Sequence, residues 1–304
     1  MINQSVLDHI KQIVPEKDIL LNEPMTNHTT FRVGGEAALL IRISAKEQLK
    51  RLIPFFRKLE IDFFILGNGS NVLVGDRGYQ GAILSINKGF SGIKVDNNRI
   101  TTDAGVLLTD ISRIAADNNL TGMEFASGIP GTIGGATVMN AGAYGGEMSQ
   151  IIESVSIMND AGEEMELNNE AMEFSYRTSV IKKRPHIVLS VTIKLEYGDQ
   201  KEIKQKINDL TIRRNSKQPL EYASAGSTFK RPPGKFAGKL IMDAGLRGFS
   251  IGGASVSEKH CGFIINRGDA TAADILEVIK EVQERVYDRF DIKLEPEVIY
   301  LGDF

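Results

Sequence analysis

The stretch FASGIPGTIGGATVMNAGAYGGE, residues 125–147, decides how the rest of the chain is interpreted. Seven of its 23 residues are glycine, and Glu147 is its only charged residue. Glycine permits positive φ and lets another group approach the backbone without a Cβ in the way. Flexible linkers are rich in Ser, Pro and charge, and this segment is not. We therefore predict a loop that lies against a ligand, although a tight structural connection between strands also explains the glycines.

The overall composition is that of a soluble globular protein of about two domains. The 304 residues are 42% hydrophobic and 25% charged, with a net charge of −3 and both signs mixed, so we expect no nucleic-acid partner. No run approaches the ~20 apolar residues of a membrane span, and the N-terminus lacks a secretion signal. We therefore expect a cytoplasmic protein without membrane insertion. The single cysteine, Cys261, and four scattered histidines lack the spacing of metal ligands, so we expect no metal.

A second glycine-containing loop, GNGSN at residues 67–71, follows the apolar segment DFFIL. Gly67 and Gly69 can point successive main-chain N–H groups to one side, which forms an anion-binding nest, and Ser70 and Asn71 add side-chain donors. Neither a Gly-Lys-Ser/Thr sequence nor a helix pattern follows, so this is neither a P-loop nor a Rossmann fingerprint. A simple hairpin turn explains the same residues nearly as well.

Hydrophobic periodicity predicts an α+β fold. The expected helices cover residues 5–13, 45–59 with Ser44 as N-cap, 107–119, 199–214, 236–245 and 272–289 with Thr271 as N-cap. The expected strands cover 37–43, 62–66, 72–86 as strand–turn–strand, 92–95, 99–104, a hairpin turning at 159–162, 186–197 and 291–302. Residues 221–234 are predicted as another loop. Because charge and periodicity change near residue 198, we predict domains 1–197, split near 90–105, and 198–304.

Six motifs in a fixed order make the interpretation specific. They are TTFRVGG (29–35), ILGNGSNVLV (65–74), GIPGTIGGATVMNAGAYG (128–145), SYRTS (175–179), AGSTFKRP (225–232) and LEPEVIY (294–300). Together they resemble the UDP-N-acetylenolpyruvoylglucosamine reductase family, flavoenzymes that make UDP-N-acetylmuramate for peptidoglycan. The resemblance implies two α+β subdomains that hold FAD, of the vanillyl-alcohol oxidase-like type, and a C-terminal α+β substrate-binding domain. It also implies NADPH as the reductant.

The resemblance implies which residues line FAD. They are Gly67, Asn68, Gly69, Ser70, Asn71, Ser127, Gly128, Ile129, Pro130, Gly131, Ile133, Gly134, Gly135, Ala136, Asn140 and Gly142. Backbone N–H groups suit the two charges of a pyrophosphate because they are already oriented before binding. The loop at 67–71 has no His or Cys, so we expect non-covalent FAD.

The family reaction needs a group that stabilises charge on the substrate carboxylate and a proton donor at C2. The resemblance assigns Arg177 and Glu297 to the first role and Ser227 to the second. Taken alone, these residues are better explained as a surface arginine, a solvated strand-end carboxylate and a turn serine, and only the resemblance reverses that preference. Substrate contacts are implied for Tyr144, Lys217 and Gly226, with Lys217 at the UDP phosphates.

The chain departs from some family members in two places. Lys230–Arg231–Pro232 stands where they have Lys-Asn-Pro, and the insertion that carries a UDP-clamping tyrosine is absent, so this is the shorter subtype. Two alternatives remain at this stage. One is an FAD-dependent oxidase of a sugar or alcohol on the same scaffold, and the other is a non-enzymatic nucleotide-sugar binding protein.

Overall fold

The computed structural model describes residues 2–159 and 161–304. Their α-helices are α1 (Gln4–Lys11), α2 (Lys46–Lys58), α3 (Leu108–Asp117), α4 (Ile133–Met139), α5 (Val180–Lys183), α6 (Gln200–Lys217), α7 (Ala237–Asp243) and α8 (Ala272–Phe290). Short 3₁₀ turns occupy Glu16–Asp18, Met25–Asn27, Glu124–Ala126, Met148–Gln150 and Glu170–Met172. None of these helices is both long and apolar enough to cross a membrane.

Most strands follow one another in runs between these helices and pair mainly in antiparallel fashion, which confirms the predicted α+β class. They are β1 (Ile19–Pro24), β2 (Glu36–Ile43), β3 (Phe63–Leu66), β4 (Val72–Val74), β5 (Tyr79–Ile86), β6 (Ile93–Asp96), β7 (Arg99–Asp103), β8 (Leu120–Thr121), β9 (Gly142–Ala143), β10 (Gly146–Glu147), β11 (Ile152–Met158), β12 (Glu164–Asn168), β13 (Ile187–Lys194), β14 (Glu196–Tyr197), β15 (Ala223–Ser227), β16 (Ser250–Ile251), β17 (Ala254–Val256), β18 (Phe263–Asn266) and β19 (Ile299–Leu301).

The chain forms two compact units, each assembled from segments that are distant in sequence. The first unit contains Met1–Leu21, Leu39–Asn68 and Gly81–Arg214, and the second contains Asn22–Ala38, Gly69–Gln80 and Asn215–Phe304. Each unit has its own hydrophobic core. The predicted domain boundary at 197/198 stays a prediction.

The first unit is built around a five-stranded antiparallel sheet in the order β12–β11–β13–β7–β6. Helix α4 packs against β13 of this sheet. Helix α2 buries one face completely, and this face includes Leu49 and Phe56. The predicted N-cap at Ser44 is wrong, because Ala45 occupies that position and the Gln48 side chain accepts the Ser44 main-chain N–H at 2.8 Å. A further four-stranded sheet has the order β1–β2–β5–β3.

The glycine-rich segment is not a continuous loop, and this part of the sequence-based prediction is wrong. Residues Ile133–Met139 form helix α4. Thr132 is its N-cap and accepts the main-chain N–H of Gly135, and Asn140 ends the helix in the left-handed conformation with φ 44°. These two capping residues define a short helix although glycine has low helix propensity.

The second unit contains a four-stranded antiparallel sheet in the order β15–β18–β17–β16, with α8 packed against β16, β17 and β18. Thr271 caps α8 as predicted, in a reciprocal capping box with Asp274. The predicted loop at 221–234 is wrong at its start, because residues 223–227 form β15 and pair with β18. The predicted strand at 291–302 shortens to β19, which pairs in parallel with β4. Pro296 lies before β19 and cannot donate a ladder hydrogen bond.

Candidate active site

The start of the 67–71 loop lies against the glycine-rich segment within the first unit. The Asn68 side-chain amide donates to the main-chain oxygen of Pro130 at 2.6 Å. A Cβ on Gly67 would lie 2.5 Å from the Thr132 hydroxyl oxygen, closer than real Cβ atoms approach. Packing against the neighbouring segment therefore requires glycine at position 67. The sequence predicted that both segments line one site, and this pair of contacts joins them.

The loop keeps its main-chain donors available. Among the hydrogen bonds of the described residues, none is donated by the main-chain N–H groups of residues 67–71. The Thr30 main-chain N–H donates to the Gly69 oxygen at 3.1 Å, and the Thr30 hydroxyl is buried without a hydrogen bond in the described part of the chain. Consecutive N–H groups and an orphaned hydroxyl are suited to the oxygens of a phosphate. Sequence reasoning assigned Thr30 no role, although it lies in the TTFRVGG motif.

Two adjacent glycines in α4 have different surroundings. A Cβ on Gly134 would lie 2.8 Å from the Ala104 Cβ, so this glycine is required by packing inside the protein. Gly135 is exposed, and a Cβ there would meet only the Thr132 hydroxyl oxygen, at an ordinary 3.6 Å. Packing inside the protein therefore does not explain why residue 135 is a glycine. The exposed side of Gly135 is available to an approaching ligand.

Two arginines at the end of α6 face the glycine-rich segment within the first unit. A Cβ on Gly128 would lie 2.8 Å from Cδ of Arg214, and burial lowers the pKa of the Arg214 guanidinium. The guanidinium of Arg213 lies 5.3 Å from the ring centroid of Tyr144. Sequence reasoning missed both arginines because residues 199–214 carry many charges, and nothing in that pattern distinguishes these two from solvent-exposed ones. Their placement adds positive charge beside the predicted cofactor segment.

Tyr144 lies at the tip of the β9–β10 hairpin. Tyr144 and Gly145 both have positive φ, 53° and 89°, as the two central residues of a type I′ turn require. The Tyr144 residue is 39% exposed, so it is not a core tyrosine. The side chain is therefore accessible to a ligand, and its contact with substrate stays a prediction.

Arg177 occupies a tight turn in the first unit. Ser175 and Thr178 exchange main-chain hydrogen bonds of 3.1 Å, which leaves Tyr176 and Arg177 at the tip of the turn. Arg177 has φ 56°, a left-handed conformation that is uncommon for arginine. Its Nη2 donates to the main-chain oxygen of Gly142 at 3.2 Å. The turn therefore carries the guanidinium towards the hairpin that bears Tyr144.

Ser227 ends strand β15 in the second unit, just after an irregularity in the strand. Ser224 pairs with Ile265 whereas Ser227 pairs with Phe263, so β15 holds one extra residue between the two pairs. Gly226 lies in this bulge with φ 74°. Bulges redirect the side chains that follow them. The Ser227 side chain is exposed, and no hydrogen bond of its hydroxyl is found among the described residues.

Glu297 lies beside the Ser227 strand in the same unit. Its main-chain N–H donates to the oxygen of Thr228 at 2.8 Å, and its main-chain oxygen accepts from the Asn71 side-chain amide at 3.0 Å. Phe229 and Pro296 form a β-bridge next to this bond. The structure therefore brings together Ser227, Glu297 and Asn71, which are far apart in sequence.

Two other basic residues of the second unit lie near this region. The Lys230 ammonium is 2.9 Å from a carboxylate oxygen of Glu295. Nδ1 of His260 accepts the Gly262 main-chain N–H at 3.1 Å, so neutral His260 carries its proton on Nε2. Burial, and to a lesser extent the charge of Lys217, lower the pKa of His260. Lys217, the predicted UDP contact, is thus one of the charges that act on His260 within the second unit.

The two units each contain part of the predicted catalytic set. Arg177 belongs to the first unit, and Ser227 and Glu297 belong to the second. The convergence of all three side chains on one substrate stays a prediction. In the described residues, no group of three or more His, Cys, Asp or Glu side chains is arranged to hold a metal ion.

Two protein-family profiles match the chain, one in its N-terminal part and one in its C-terminal part. Residues 37–168 match the profile of an FAD binding domain, and residues 218–301 match the UDP-N-acetylenolpyruvoylglucosamine reductase C-terminal domain. These matches confirm the predicted FAD-binding region and the C-terminal domain that follows it.

Similar whole proteins carry the same family name. UDP-N-acetylenolpyruvoylglucosamine reductases of Clostridium perfringens and Clostridioides difficile are 51% and 48% identical over 287 and 303 residues, covering 94% and 100% of both chains in each pair. The crystal structure of the Thermus caldophilus UDP-N-acetylenolpyruvylglucosamine reductase aligns with a TM-score of 0.80 at 35% identity, covering 93% of this chain and 98% of that one. Because the similarity extends over nearly the whole length at this identity, the chain belongs to the UDP-N-acetylenolpyruvoylglucosamine reductase family.

Proposed function

We propose that this FAD-containing oxidoreductase reduces UDP-N-acetylglucosamine enolpyruvate to UDP-N-acetylmuramate in peptidoglycan synthesis. Family membership over nearly the whole chain and the match to an FAD binding domain support this function. When bound, FAD would supply the redox chemistry that links NADPH, as the hydride donor, to C3 of the enolpyruvyl group, as the hydride acceptor. The protein's own side chains hold the substrate and deliver the proton at C2.

The observation that carries the proposal is the placement of Ser227. The hydroxyl is exposed on the strand residue after a bulge, and the main chain of its neighbour Thr228 bonds to that of Glu297. In this role Ser227 transfers its hydroxyl proton to C2 of the substrate. A serine hydroxyl is a weak acid, so it needs polar neighbours to act as a donor. Glu297, in its protonated form, donates a hydrogen bond to the enol oxygen of the substrate.

Arg177 has the complementary role on the substrate carboxylate. A guanidinium presents a planar fork that matches a carboxylate with two hydrogen bonds. Reduction at C3 moves negative charge onto that carboxylate, so a donor already in place stabilises the transition state more than the ground state. The tight 175–178 turn and the bond to Gly142 restrict the arginine before substrate binds.

The geometry also supports the assignment of cofactor contacts. The free main-chain donors of residues 67–71 and the Thr30 hydroxyl suit the pyrophosphate of FAD, and the open face of Gly135 permits close approach. Lys217 suits the UDP phosphates as a point charge, with Tyr144 and Gly226 as further substrate contacts. We infer non-covalent FAD binding in the cytoplasm, where NADPH and the nucleotide sugar are available.

The decisive experiment follows the flavin absorption band in two separate half-reactions under anaerobic conditions. NADPH is expected to bleach the band, and UDP-N-acetylglucosamine enolpyruvate is then expected to restore it. Oxygen serves as the control acceptor, because an oxidase of a sugar or alcohol would be re-oxidised by oxygen and not by the enolpyruvyl compound. A band that stays bleached after the enolpyruvyl substrate is added would show that the proposal is wrong.

A further inference from the structure

Asn140 is almost completely buried at the C-terminal end of α4, and both the nitrogen and the oxygen of its side-chain amide are hydrogen-bonded inside the protein. Its residue is 1% exposed. Its Nδ2 donates to a carboxylate oxygen of Glu147 and to the main-chain oxygen of Ser175, both at 3.1 Å. Its Oδ1 accepts the main-chain N–H of Ser149 at 2.9 Å. Since an asparagine amide has two donor hydrogens, both are used here.

The orientation of this amide follows from the chemistry of its neighbours. A carboxylate and a main-chain carbonyl only accept hydrogen bonds, and a main-chain N–H only donates one. Rotating the amide by 180° would place its oxygen against both acceptors. Glu147, the one charge of the glycine-rich segment, also accepts the Ser149 hydroxyl at 2.5 Å. Glu147 and Ser149 therefore fix how Asn140 presents its Nδ2 group to Ser175.

Ser175 opens the turn that carries Arg177. Its main-chain oxygen accepts from Asn140 and from the Thr178 main-chain N–H, so it is held from two sides. On the other side of the turn, the buried Ser179 hydroxyl donates to the Val138 oxygen of α4 at 2.9 Å. Both ends of the turn are thus attached to the last residues of α4. An arginine with positive φ persists only where its surroundings enforce it.

We infer that Asn140 is a positioning residue for Arg177 and that its side chain does not contact FAD. The inference rests on the catalytic role of Arg177 in the proposed function. The left-handed backbone of Asn140 also ends α4, since the main-chain N–H of Ala141 bonds to the Ala136 oxygen at 2.8 Å. One residue therefore ends the helix and attaches the Arg177 turn to it. The sequence resemblance placed Asn140 among the cofactor contacts, and the described contacts support a different role.

The first test separates the side chain from the backbone. Asn140→Gly removes all three side-chain bonds but accepts positive φ, and Asn140→Asp keeps the shape while losing both donors. Each variant is expected to bind FAD with unchanged affinity, measured by flavin fluorescence, and to be reduced by NADPH at the wild-type rate. Re-oxidation by the enolpyruvyl substrate is expected to slow about 10- to 100-fold, because a misplaced catalytic group is costly. Rates are taken on flavin-loaded molecules, so incomplete folding lowers only the amplitude.

The control is Asn119→Gly, another left-handed asparagine with φ 58° that is exposed at the end of α3. It is expected to leave both half-reactions unchanged. The second test combines Asn140→Gly with Arg177→Gln. If Asn140 acts through Arg177, the double variant is expected to be less than about 2-fold slower than Arg177→Gln alone.

Three results would overturn the inference. They are wild-type re-oxidation in both Asn140 variants, weakened FAD binding with both half-reactions slowed alike, and independent effects that multiply in the double variant. Failure of the proposed function looks different, because Arg177→Gln alone would then be re-oxidised at the wild-type rate. A slow Arg177→Gln variant with fast Asn140 variants contradicts only the positioning role.

Discussion

At the scale of single residues, the exposed hydroxyl of Ser227 can be removed without opening a cavity. We expect Ser227→Ala to be reduced by NADPH at nearly the wild-type rate. Turnover of the enolpyruvyl substrate is expected to fall about 10²- to 10⁴-fold, as for the loss of a positioned acid. Stopped-flow absorbance of the flavin measures the two half-reactions separately. Ser224→Ala, on the same strand before the bulge, is the matched control. Equal slowing of both half-reactions would contradict the proton-donor role.

A second residue-scale prediction concerns Glu124, a buried carboxylate that directly precedes the glycine-rich segment. Burial acts to raise its pKa, but hydrogen bonds from Thr121 and the Gly122 main chain, with the charge of Lys206, outweigh burial and lower the pKa. As the pH falls, the unfolded state takes up the proton first. The stability that Glu124 contributes is therefore complete above the unfolded pKa, about 4.3, and is lost as the pH falls through the lower folded value.

The test of this linkage is Glu124→Gln. At pH 7 we expect a loss of about 2 kcal/mol in the free energy of unfolding, since hydrogen bonds to a charged group are replaced by neutral ones. The difference from wild type is expected to shrink as the pH falls towards 4 and below. Urea denaturation at several pH values measures it, with the exposed Glu277→Gln on α8 as control. A difference that stays constant with pH would show that the charge of Glu124 does not stabilise the fold.

At the scale of elements, helix α4 offers a matched pair of neighbouring glycines. Gly134→Ala is expected to lower the free energy of unfolding by about 1–3 kcal/mol, because its Cβ would overlap Ala104. Gly135→Ala has room within the protein and raises helix propensity, so we expect unchanged or slightly higher stability of the protein without FAD. If FAD lies on this open face, the same methyl group weakens FAD binding by about tenfold.

These two variants are compared by thermal unfolding without FAD and by titration with FAD. If the Gly135→Ala variant binds FAD as tightly as the wild-type protein does, the cofactor does not closely approach this turn of α4. Gly134→Ala with wild-type stability would show that Ala104 can move aside. The pair thus separates a glycine required by packing from one required by a ligand.

The helices and strands also show which sequence signals are sufficient to predict secondary structure. Helix α8 was predicted to within one residue, because Thr271 caps an apolar stripe at helical spacing. Helix α4 was missed, because its glycines dominated the pattern while Thr132 and Asn140, good capping residues at its two ends, were overlooked. The bulge at Gly226 leaves no periodic signal at all, since it depends on pairing with a strand almost forty residues later. Local caps can be read from sequence, and pairing partners cannot.

At the scale of the whole molecule, each unit gathers segments that the linear order separates. Residues 22–38 and 69–80 belong with the C-terminal segment, and no local pattern predicts that grouping. The candidate site follows the same rule. Motif resemblance named Arg177, Ser227 and Glu297, but the neighbouring hydrogen bonds involve other residues: Asn140 bonds to Ser175 in the Arg177 turn, and Thr228 and Asn71 bond to the main chain of Glu297. Such contacts arise from tertiary packing, so sequence reasoning assigned none of these supporting roles.

The last prediction concerns cofactor binding by the folded chain. Cys261 is buried, and burial raises the pKa of its thiol, which disfavours the reactive thiolate. The 67–71 loop has neither Cys nor His. We therefore expect all FAD to separate from the chain when the protein is denatured and filtered. Because FAD then binds only the folded state, a free concentration 100 times its Kd is expected to raise the free energy of unfolding by about 2.7 kcal/mol. Flavin absorbance that stays with the denatured chain would contradict non-covalent binding, and a melting temperature independent of FAD concentration would contradict reversible coupling to folding.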